Sequence, residues 1–407
     1  VALQHHGRVL AANARYKSAE ARIVTARSPL FPQITTRHTF FRGQTIGRQT
    51  GFIFRRLGFI TETKQWSVYF DILLFDSGLT QAQIEQAKAS AEGAKQDLNA
   101  TLNSIALTVT QAYFELLRAQ HLLKLSQQQL EASQAHLRMV QARIQAGDAA
   151  PVDVHPVRVE VANARLSLLS AQNQVKVART ALANAMGLNP HVNIDVVDVP
   201  EPQPQPLSMT LQACLDVAVK NRPDLLRARS ELQLARAGLR AARLQTMPVL
   251  NVNAGYEIGI GGYSPTQRRW QIDASISFPI FDGGATQARL REAKANMQAA
   301  RASYEQLMRD IQAEVEQAYL NLQNAWERIT ATRTVVEEAE RNLEAAREKY
   351  RLGLGIIIEV VDAQVNLFNA HINQIQATYD YYIAEAQLRY ATGEIAKHYK
   401  HTLMPAK

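Results

Sequence analysis

Few residues of this chain have the types and spacing that chemistry needs. The His5-His6 pair and the pair His398 and His401 could offer imidazole to a metal. No carboxylate or cysteine ligand set accompanies either pair, so no metal site is expected. Gly259-Ile260-Gly261-Gly262 looks like a phosphate loop, but it ends a strand pattern. No helix follows it directly and no lysine completes it. Arg55, Arg56, Arg268 and Arg269 fall in segments expected to link paired strands, where they face anionic headgroups, saccharide or water. Asp153 and Glu359 open helical segments, and an acidic first turn stabilises a helix N-terminus. No nucleophile–base arrangement is visible, so the chain is not expected to be an enzyme and no cofactor is implied.

The bulk composition fits a folded protein, 46% hydrophobic and 20% charged over 407 residues. The formal charge of +8 reads as a solvated basic surface. No cluster of basic and aromatic residues suggests nucleic acid as a partner. Cys214 is the sole cysteine, which excludes an intrachain disulfide. No apolar run reaches the roughly 18 residues of a transmembrane helix, so a bilayer would be met by a surface or by β-strands. The sequence begins at Val1 with neither a basic n-region nor an apolar h-region. The expectation is that a signal peptide has been removed or was never there.

The elements that must position these residues come in two copies. Phe75-Asp76-Ser77-Gly78-Leu79-Thr80 matches Phe281-Asp282-Gly283-Gly284-Ala285-Thr286, and 281 − 75 gives an offset of 206. The same offset carries Gln111-Ala112-Tyr113 to Gln317-Ala318-Tyr319, Gly147 to Gly353 and Gly187 to Gly393. A constant offset of this kind marks a tandem repeat. The first copy covers 1–199, with strands at about 30–41 and 66–75, a long helix at 80–145 and a return helix at 153–187. The second covers 208–395, with strands at about 247–260 and 270–281, a long helix at 286–352 and a return helix at 359–393. A helical pattern near 1–27 recurs less cleanly near 210–245. Alternating prolines at 200–207 make a stiff connector, and 396–407 form a tail.

Each long helix carries a heptad seam. In the second copy it runs through Ala318, Leu322, Ala325, Ile329, Thr332, Val336, Ala339, Leu343, Ala346 and Tyr350, in steps of four and three. Two successive steps of four, Leu307 to Ile311 to Val315, are a stutter. Thr101, Ile105 and Val109 repeat it in the first copy. Each long helix would extend roughly 100 Å at about 1.5 Å per residue. Thr80 with Gln83 reads as a capping box, and Gly147 and Gly353 as stops.

The strand at Trp270–Ile280 alternates apolar residues with Gln271, Asp273, Ser275 and Ser277. About ten residues of such alternation suit a strand with lipid on one face and water on the other. Trp66 and Trp270 at one end, with Phe75 and Phe281 at the other, fit an aromatic girdle. Pro32, Pro248 and Pro279 fall near strand ends, where a missing N–H is tolerated. Four strands cannot close a membrane barrel, for which about eight are the minimum, and open edges are not tolerated in lipid. Several copies must therefore share one barrel of eight, twelve or sixteen strands. Gly259–Gly262 then reads as a loop at its outer end.

The repeat, the Phe-Asp-x-Gly turn into each long helix, and the reversals at Gly147–Val154 and Gly353–Ala363 together resemble the TolC-type outer-membrane efflux proteins of Gram-negative bacteria, over essentially the whole chain. The resemblance implies a mainly α protein with transmembrane β-strands. Three protomers would share a twelve-stranded barrel in the outer membrane, continued by a long α-helical barrel in the periplasm. It implies a homotrimer, outer-membrane lipid as surroundings, and a periplasmic membrane-fusion adaptor joining it to an inner-membrane transporter. It implies a passive conduit for drugs or other toxic small molecules; secreted polypeptide is the alternative cargo. It carries a periplasmic gate onto Asp153, Glu359 and Asp362, with Tyr350 in the latch. Like charges gathered on the axis repel, so protonation or cation binding should favour closure. The family often places a basic residue near Gly355; glycine stands there instead, and Arg351 and Arg143 lie a turn or so earlier. Gly147, Leu352, Gly353 and Leu354 match the adaptor-docking tip. The competing reading is a soluble or periplasmic coiled-coil adaptor without a pore, with Trp270–Ile280 against other protein.

Overall fold

The computed structural model describes residues 2–47, 57–189, 192, 194, 196–197, 209–261 and 264–397. The proline-rich segment 200–207, Arg55, Arg56, Gly262, His398, His401 and nearly all of the tail lie outside the described residues. In chain order come α1 (Ala2–His5), α2 (Gly7–Arg27), β1 (Gln33–Gly47), β2 (Leu57–Phe75), α3 (Leu79–Ala146) and α4 (Val154–Ala185). The second copy gives α5 (Leu211–Asn221), α6 (Pro223–Leu244), β3 (Val249–Gly261), β4 (Ser264–Ser277), α7 (Ala285–Arg351) and α8 (Ile357–Ala391). No described helix is long and apolar enough to cross a membrane.

The chain divides into two compact units, and neither is a single repeat. One comprises 1–14, 96–226 and 306–407; the other comprises 15–95 and 227–305. Each takes segments from both copies.

The second unit holds one antiparallel sheet in the order β1-β2-β3-β4. The strands of both repeats therefore share one ladder, with β2 paired to β3. The register places even-numbered residues of all four strands on one face. That face carries Ile34 on β1, then Trp66, Val68, Phe70 and Ile72 on β2. It continues with Leu250, Val252, Ala254 and Tyr256 on β3, and Trp270, Ile272, Ala274 and Ile276 on β4. The opposite face carries Arg37, Asp71, Asn253, Glu257, Arg269, Asp273 and Ser275. There Tyr69 donates its hydroxyl to Glu257 Oε1 at 2.6 Å, and Asn253 donates to Asp273 Oδ2 at 3.1 Å. Ile272, Ile276 and Trp270 are exposed in the single chain.

The strands are longer than the alternating stretches suggested, and this moves three expectations. β2 has 19 residues and β4 has 14, so Trp66 and Trp270 stand in mid-strand rather than at an end. Tyr256 pairs with Trp270, and Ile258 with Trp66, so the aromatics form a belt across the sheet. Beyond that belt the even face mixes charged with apolar residues: Arg42 is ion-paired to Glu62 at 3.2 Å, Lys64 lies between Phe40 and Ile260, and Arg268 follows on β4. Arg268 and Arg269 are paired residues of β4, opposite Ile258 and Glu257, and not part of a linking segment. At the other end Phe75 closes β2, whereas Phe281 lies outside β4. The ladder stops at Ser277, and Pro279 two residues on has no N–H to extend it.

A turn built on aspartate joins strand to long helix in both copies. Asp76 accepts the backbone N–H of Gly78 through Oδ1 at 3.0 Å and that of Thr80 through Oδ2 at 2.5 Å. Asp282 does the same with Gly284 at 3.1 Å and Thr286 at 2.7 Å. Ser77 and Gly283 follow with φ of 57° and 64°, and Gly78 and Gly284 with 90° and 87°. The N-terminal orphan donors are thus met by the aspartates, and the expected Thr80–Gln83 capping box is not the device used. Burial pushes the Asp76 carboxyl up, but hydrogen bonds from Thr80 and Gly78 outweigh it and hold the group below its ordinary 3.8. Asp76→Ala is expected to lower stability by about 1 kcal/mol, read as a lower urea midpoint with unchanged slope. Because the folded-state value is depressed, the contribution is present above 3.8 and lost as pH falls through the lower folded value. The difference between parent and variant should shrink accordingly in acid.

Within the first unit, α7 buries Ile311, Val315, Ala318, Leu322, Ala325, Ile329, Val336, Leu343, Ala346 and Tyr350. These are the seam positions, stutter included; Thr332 and Ala339 are half-buried. α3 buries its seam at Ile105, Leu116, Ala119, Ser126, Ser133 and Val140, and adds Leu102, Ala106, Thr110 and Leu117. Of the added residues, Leu102 and Ala106 pack, together with the seam residue Ile105, with Ala2, Val9, Ala386 and Ile395. α3 is therefore covered on two sides, which a single heptad pattern does not announce.

Candidate functional site: the helix-reversal end

The two long helices stop by the same hydrogen-bonded device. Gly147, at φ 81°, donates to Ile144 O at 3.1 Å, and Asp148 donates to Arg143 O at 2.9 Å. Gly353, at φ 72°, donates to Tyr350 O at 3.2 Å, and Leu354 donates to Lys349 O at 2.9 Å. This is a Schellman closure, and its left-handed residue favours glycine. After each reversal the chain turns into α4 or α8. One core cluster gathers the four helix ends: Val140 from α3, Val157 from α4, Leu343, Ala346 and Tyr350 from α7, and Ile357, Val360, Val361 and Ala363 from α8. Val140 and Val157 are completely buried.

Tyr350 is the pivot of the cluster. It is 8% exposed, and its hydroxyl is buried without a hydrogen-bond partner. The Arg143 guanidinium lies 4.8 Å from its ring centroid and donates to its backbone oxygen at 3.3 Å. Burial raises the tyrosine hydroxyl above its ordinary 10.0; the charge of Asp153 raises it further and that of Arg143 lowers it. Asp153, Tyr350 and Arg143 thus form one neighbourhood. Glu359 and Asp362 are exposed on the first turns of α8, and neither makes an ion pair among the described residues. Arg351 pairs with Glu348 on its own helix at 2.9 Å.

A groove of about 990 Å³ runs beside this cluster, with Met139, Leu343, Val360 and Leu367 as its apolar wall and Arg143 and Tyr350 among its polar lining. At the reversals themselves Gly147 and Gly353 are exposed, and so are Leu352 and Leu354, the latter by 79%. Ile356 and Val152 are exposed beside them. This is apolar surface at a point where backbone turns and little else can cover it. Sequence reasoning passed over His136 and Glu160, a buried pair between α3 and α4. No pattern could have flagged it, because the side-by-side register of the two helices is not written in either.

No cluster of three or more metal-ligating side chains occurs among the described residues. Residues 1–188 and 214–394 match the family of outer membrane efflux proteins. The chain is 24% identical over 405 residues to the outer membrane protein TolC of Vibrio cholerae, covering 97% of this chain and 90% of that protein. It is 26% identical over 396 residues to TolC of Escherichia coli, covering 93% and 78%. Among solved structures, the outer-membrane channel OprN superposes with a TM-score of 0.84 at 25% identity, covering 97% of this chain and 88% of that one. Tandem repeat, shared sheet, heptad helices and these matches agree: the chain belongs to the outer membrane efflux protein family and is an efflux channel of the outer membrane.

Proposed function

We propose that three copies of this chain close one twelve-stranded barrel across the outer membrane and continue it into the periplasm as a helical duct. The observation that carries this is the sheet. From the tryptophan belt toward the helices its even face is mainly apolar and its odd face mainly polar, and among the described residues β1 and β4 each leave one edge unpaired. An open edge is not stable in hydrocarbon, and pairing β4 of one copy with β1 of the next removes both edges. The duct carries small toxic molecules passively, so energy comes from an inner-membrane transporter reached through a periplasmic adaptor. The reversal end is the docking tip: Gly147, Leu352, Gly353 and Leu354 offer apolar, turn-rich surface. The mid-strand belt of Trp66 and Trp270, with Phe75 toward the helical side, sits at the lipid interfaces.

Single-particle imaging of the detergent-extracted protein tests the assembly. Three-fold particles support it; a monomer that stays soluble without detergent would overturn it in favour of the coiled-coil adaptor.

In this reading Asp153, Glu359 and Asp362 surround the periplasmic mouth and Tyr350 belongs to its latch. Exposure of Glu359 and Asp362 without an ion partner supports that placement, since symmetry copies and solute ions can then reach them. Asp362→Ala is expected to weaken cation preference in planar bilayers, read as a shift of the reversal potential toward zero in a salt gradient. Unchanged selectivity and conductance in an assembled trimer would remove Asp362 from the pore.

A further inference from the structure

We infer that the ends of α2, α3, α6 and α7 nearest the strands form an arginine collar that binds the phosphates of anionic phospholipids in the periplasmic leaflet; this rests on the channel reading above. The place of the leaflet follows from the sheet. The apolar even face of β4 runs from Trp270 to Ile276, and Ile276 pairs with Leu250 one rung from the end of the ladder. That stretch spans about 20 Å at about 3.4 Å per residue, less than the roughly 25 Å apolar band of a membrane barrel. The band therefore uses the ladder to its end. Beside that end Phe75, Phe278 and Phe281 are all exposed, Phe281 by 90%, as aromatic residues are at a membrane interface. The headgroup layer, about 5–8 Å deep, then falls on the strand–helix turns and the nearest turns of the helices.

The charge of those turns is one-sided. Within the seven residues nearest the strand in each helix, α2 carries Arg22 and Arg27, α6 carries Arg240 and Arg243, and α7 carries Arg289 and Arg291. α3 supplies the single acid, Glu85, which Arg240 holds at 3.2 Å. The other five arginines make no ion pair among the described residues, and all six are exposed. Asp76 and Asp282 stand in the turns themselves, but their oxygens are taken by the helix N–H groups. Arginines lie on both sides of the helical layer. Arg289 lines a groove with Gln86 and Gln245, and Arg240 lines another, on a different flank of α6, with Lys88 and Gln233. Whichever flank faces lipid therefore presents part of the set.

Such a collar fits an anion. The guanidinium fork matches phosphate oxygens two at a time, and the aliphatic stem can lie along apolar surface while the head reaches the phosphate. Phosphatidylethanolamine brings its own ammonium beside the phosphate, which the arginines repel. Phosphatidylglycerol and cardiolipin do not. One basic residue beside an anionic headgroup is enough for a preference of about fivefold.

The test is the lipid retained by the immobilised, detergent-extracted trimer after exposure to equal amounts of phosphatidylglycerol and phosphatidylethanolamine. The wild type should hold phosphatidylglycerol about fivefold over phosphatidylethanolamine at about 50 mM salt, and less than about twofold at about 0.5 M. Arg27→Gln, Arg243→Gln, Arg289→Gln and Arg291→Gln combined should cut the low-salt preference below about twofold, whereas the corresponding four Arg→Lys changes should keep most of it. If the glutamine variant assembles poorly, the lysine variant and the salt series on the wild type decide. Displacement of the lipid by millimolar inorganic phosphate would make this a site for free phosphate and overturn the lipid assignment. Equal retention of both lipids by the wild type, or a glutamine variant as selective as the wild type, overturns the inference and leaves a three-fold channel standing. A protein that stays soluble without detergent and holds neither lipid overturns the channel reading as well.

Discussion

Ile272→Arg is expected to keep the protein out of the outer membrane, whereas Ser275→Arg, three residues along the same strand, should be accepted. Ile272 lies on the even face, opposite Ala254 and flanked by Trp270 and Ala274; it is 70% exposed in the single chain. Ser275 lies on the odd face opposite Asn251, close to Asp273. An arginine on the lipid face near the bilayer midplane costs about 2–4 kcal/mol. Three copies in one barrel bring roughly 6–12 kcal/mol, comparable with the whole stability of a typical domain. On the wet face the guanidinium stays hydrated and that cost does not arise. The measurement is the amount of trimer recovered from outer-membrane fractions for each variant against the parent. Loss of the Ser275 variant alone would mean that the two faces have been assigned the wrong way round, and equal recovery of both that neither position meets hydrocarbon.

The faces were legible in the sequence because side chains alternate with a period of two, and Trp270–Ser277 states that period plainly. Strand length was not legible. Beyond the Trp66–Tyr256–Trp270 belt the even positions mix Arg42, Glu62, Lys64 and Arg268 with Phe40 and Ile260, so the regular alternation is lost while backbone pairing continues. Hydrogen bonding extends a hairpin regardless of what the side chains meet, and it ends where a proline withholds its donor. That is why Trp66 moved to mid-strand and Phe281 fell off the end. The aspartate turn shows a related limit. The repeated Phe-Asp-x-Gly motif was visible, but which oxygen receives the helix N–H groups was not, since Thr80 also has capping chemistry.

At the reversal end the glycines were readable, because only a left-handed residue completes the Schellman closure. The Arg143–Tyr350 contact was not. The repeat offset of 206 makes Ile144, not Arg143, the counterpart of Tyr350. The contact crosses between α3 and α7 at a separation of 207, a register that only packing decides. The same holds for His136 and Glu160: each is polar and unremarkable on its own helix, and buried only because the two helices meet there. Tertiary register, rather than local pattern, supplies the chemistry of this end of the chain.

On the proposed reading of Tyr350 as part of the latch, Arg143→Ala should open the channel roughly thirtyfold, the effect of losing about 2 kcal/mol. Two interactions are removed together, the guanidinium over the Tyr350 ring at 4.8 Å and the hydrogen bond to the Tyr350 backbone oxygen at 3.3 Å. Arg143→Lys keeps the charge but loses the flat stacking surface and the forked donors, and should open the channel to an intermediate degree. Tyr350→Phe is the informative partner. Its hydroxyl is buried and makes no hydrogen bond, so its loss removes an unsatisfied group while the ring, and with it the cation–π contact, remains. That variant should stay as closed as the parent. Open probability in planar bilayers, with the trimer verified beforehand, decides between these outcomes. If Arg143→Ala conducts like the parent, the contact does not hold the end closed. If Tyr350→Phe opens as far as Arg143→Ala, the latch works through the hydroxyl, and an acceptor from a neighbouring copy of the chain becomes the group to seek.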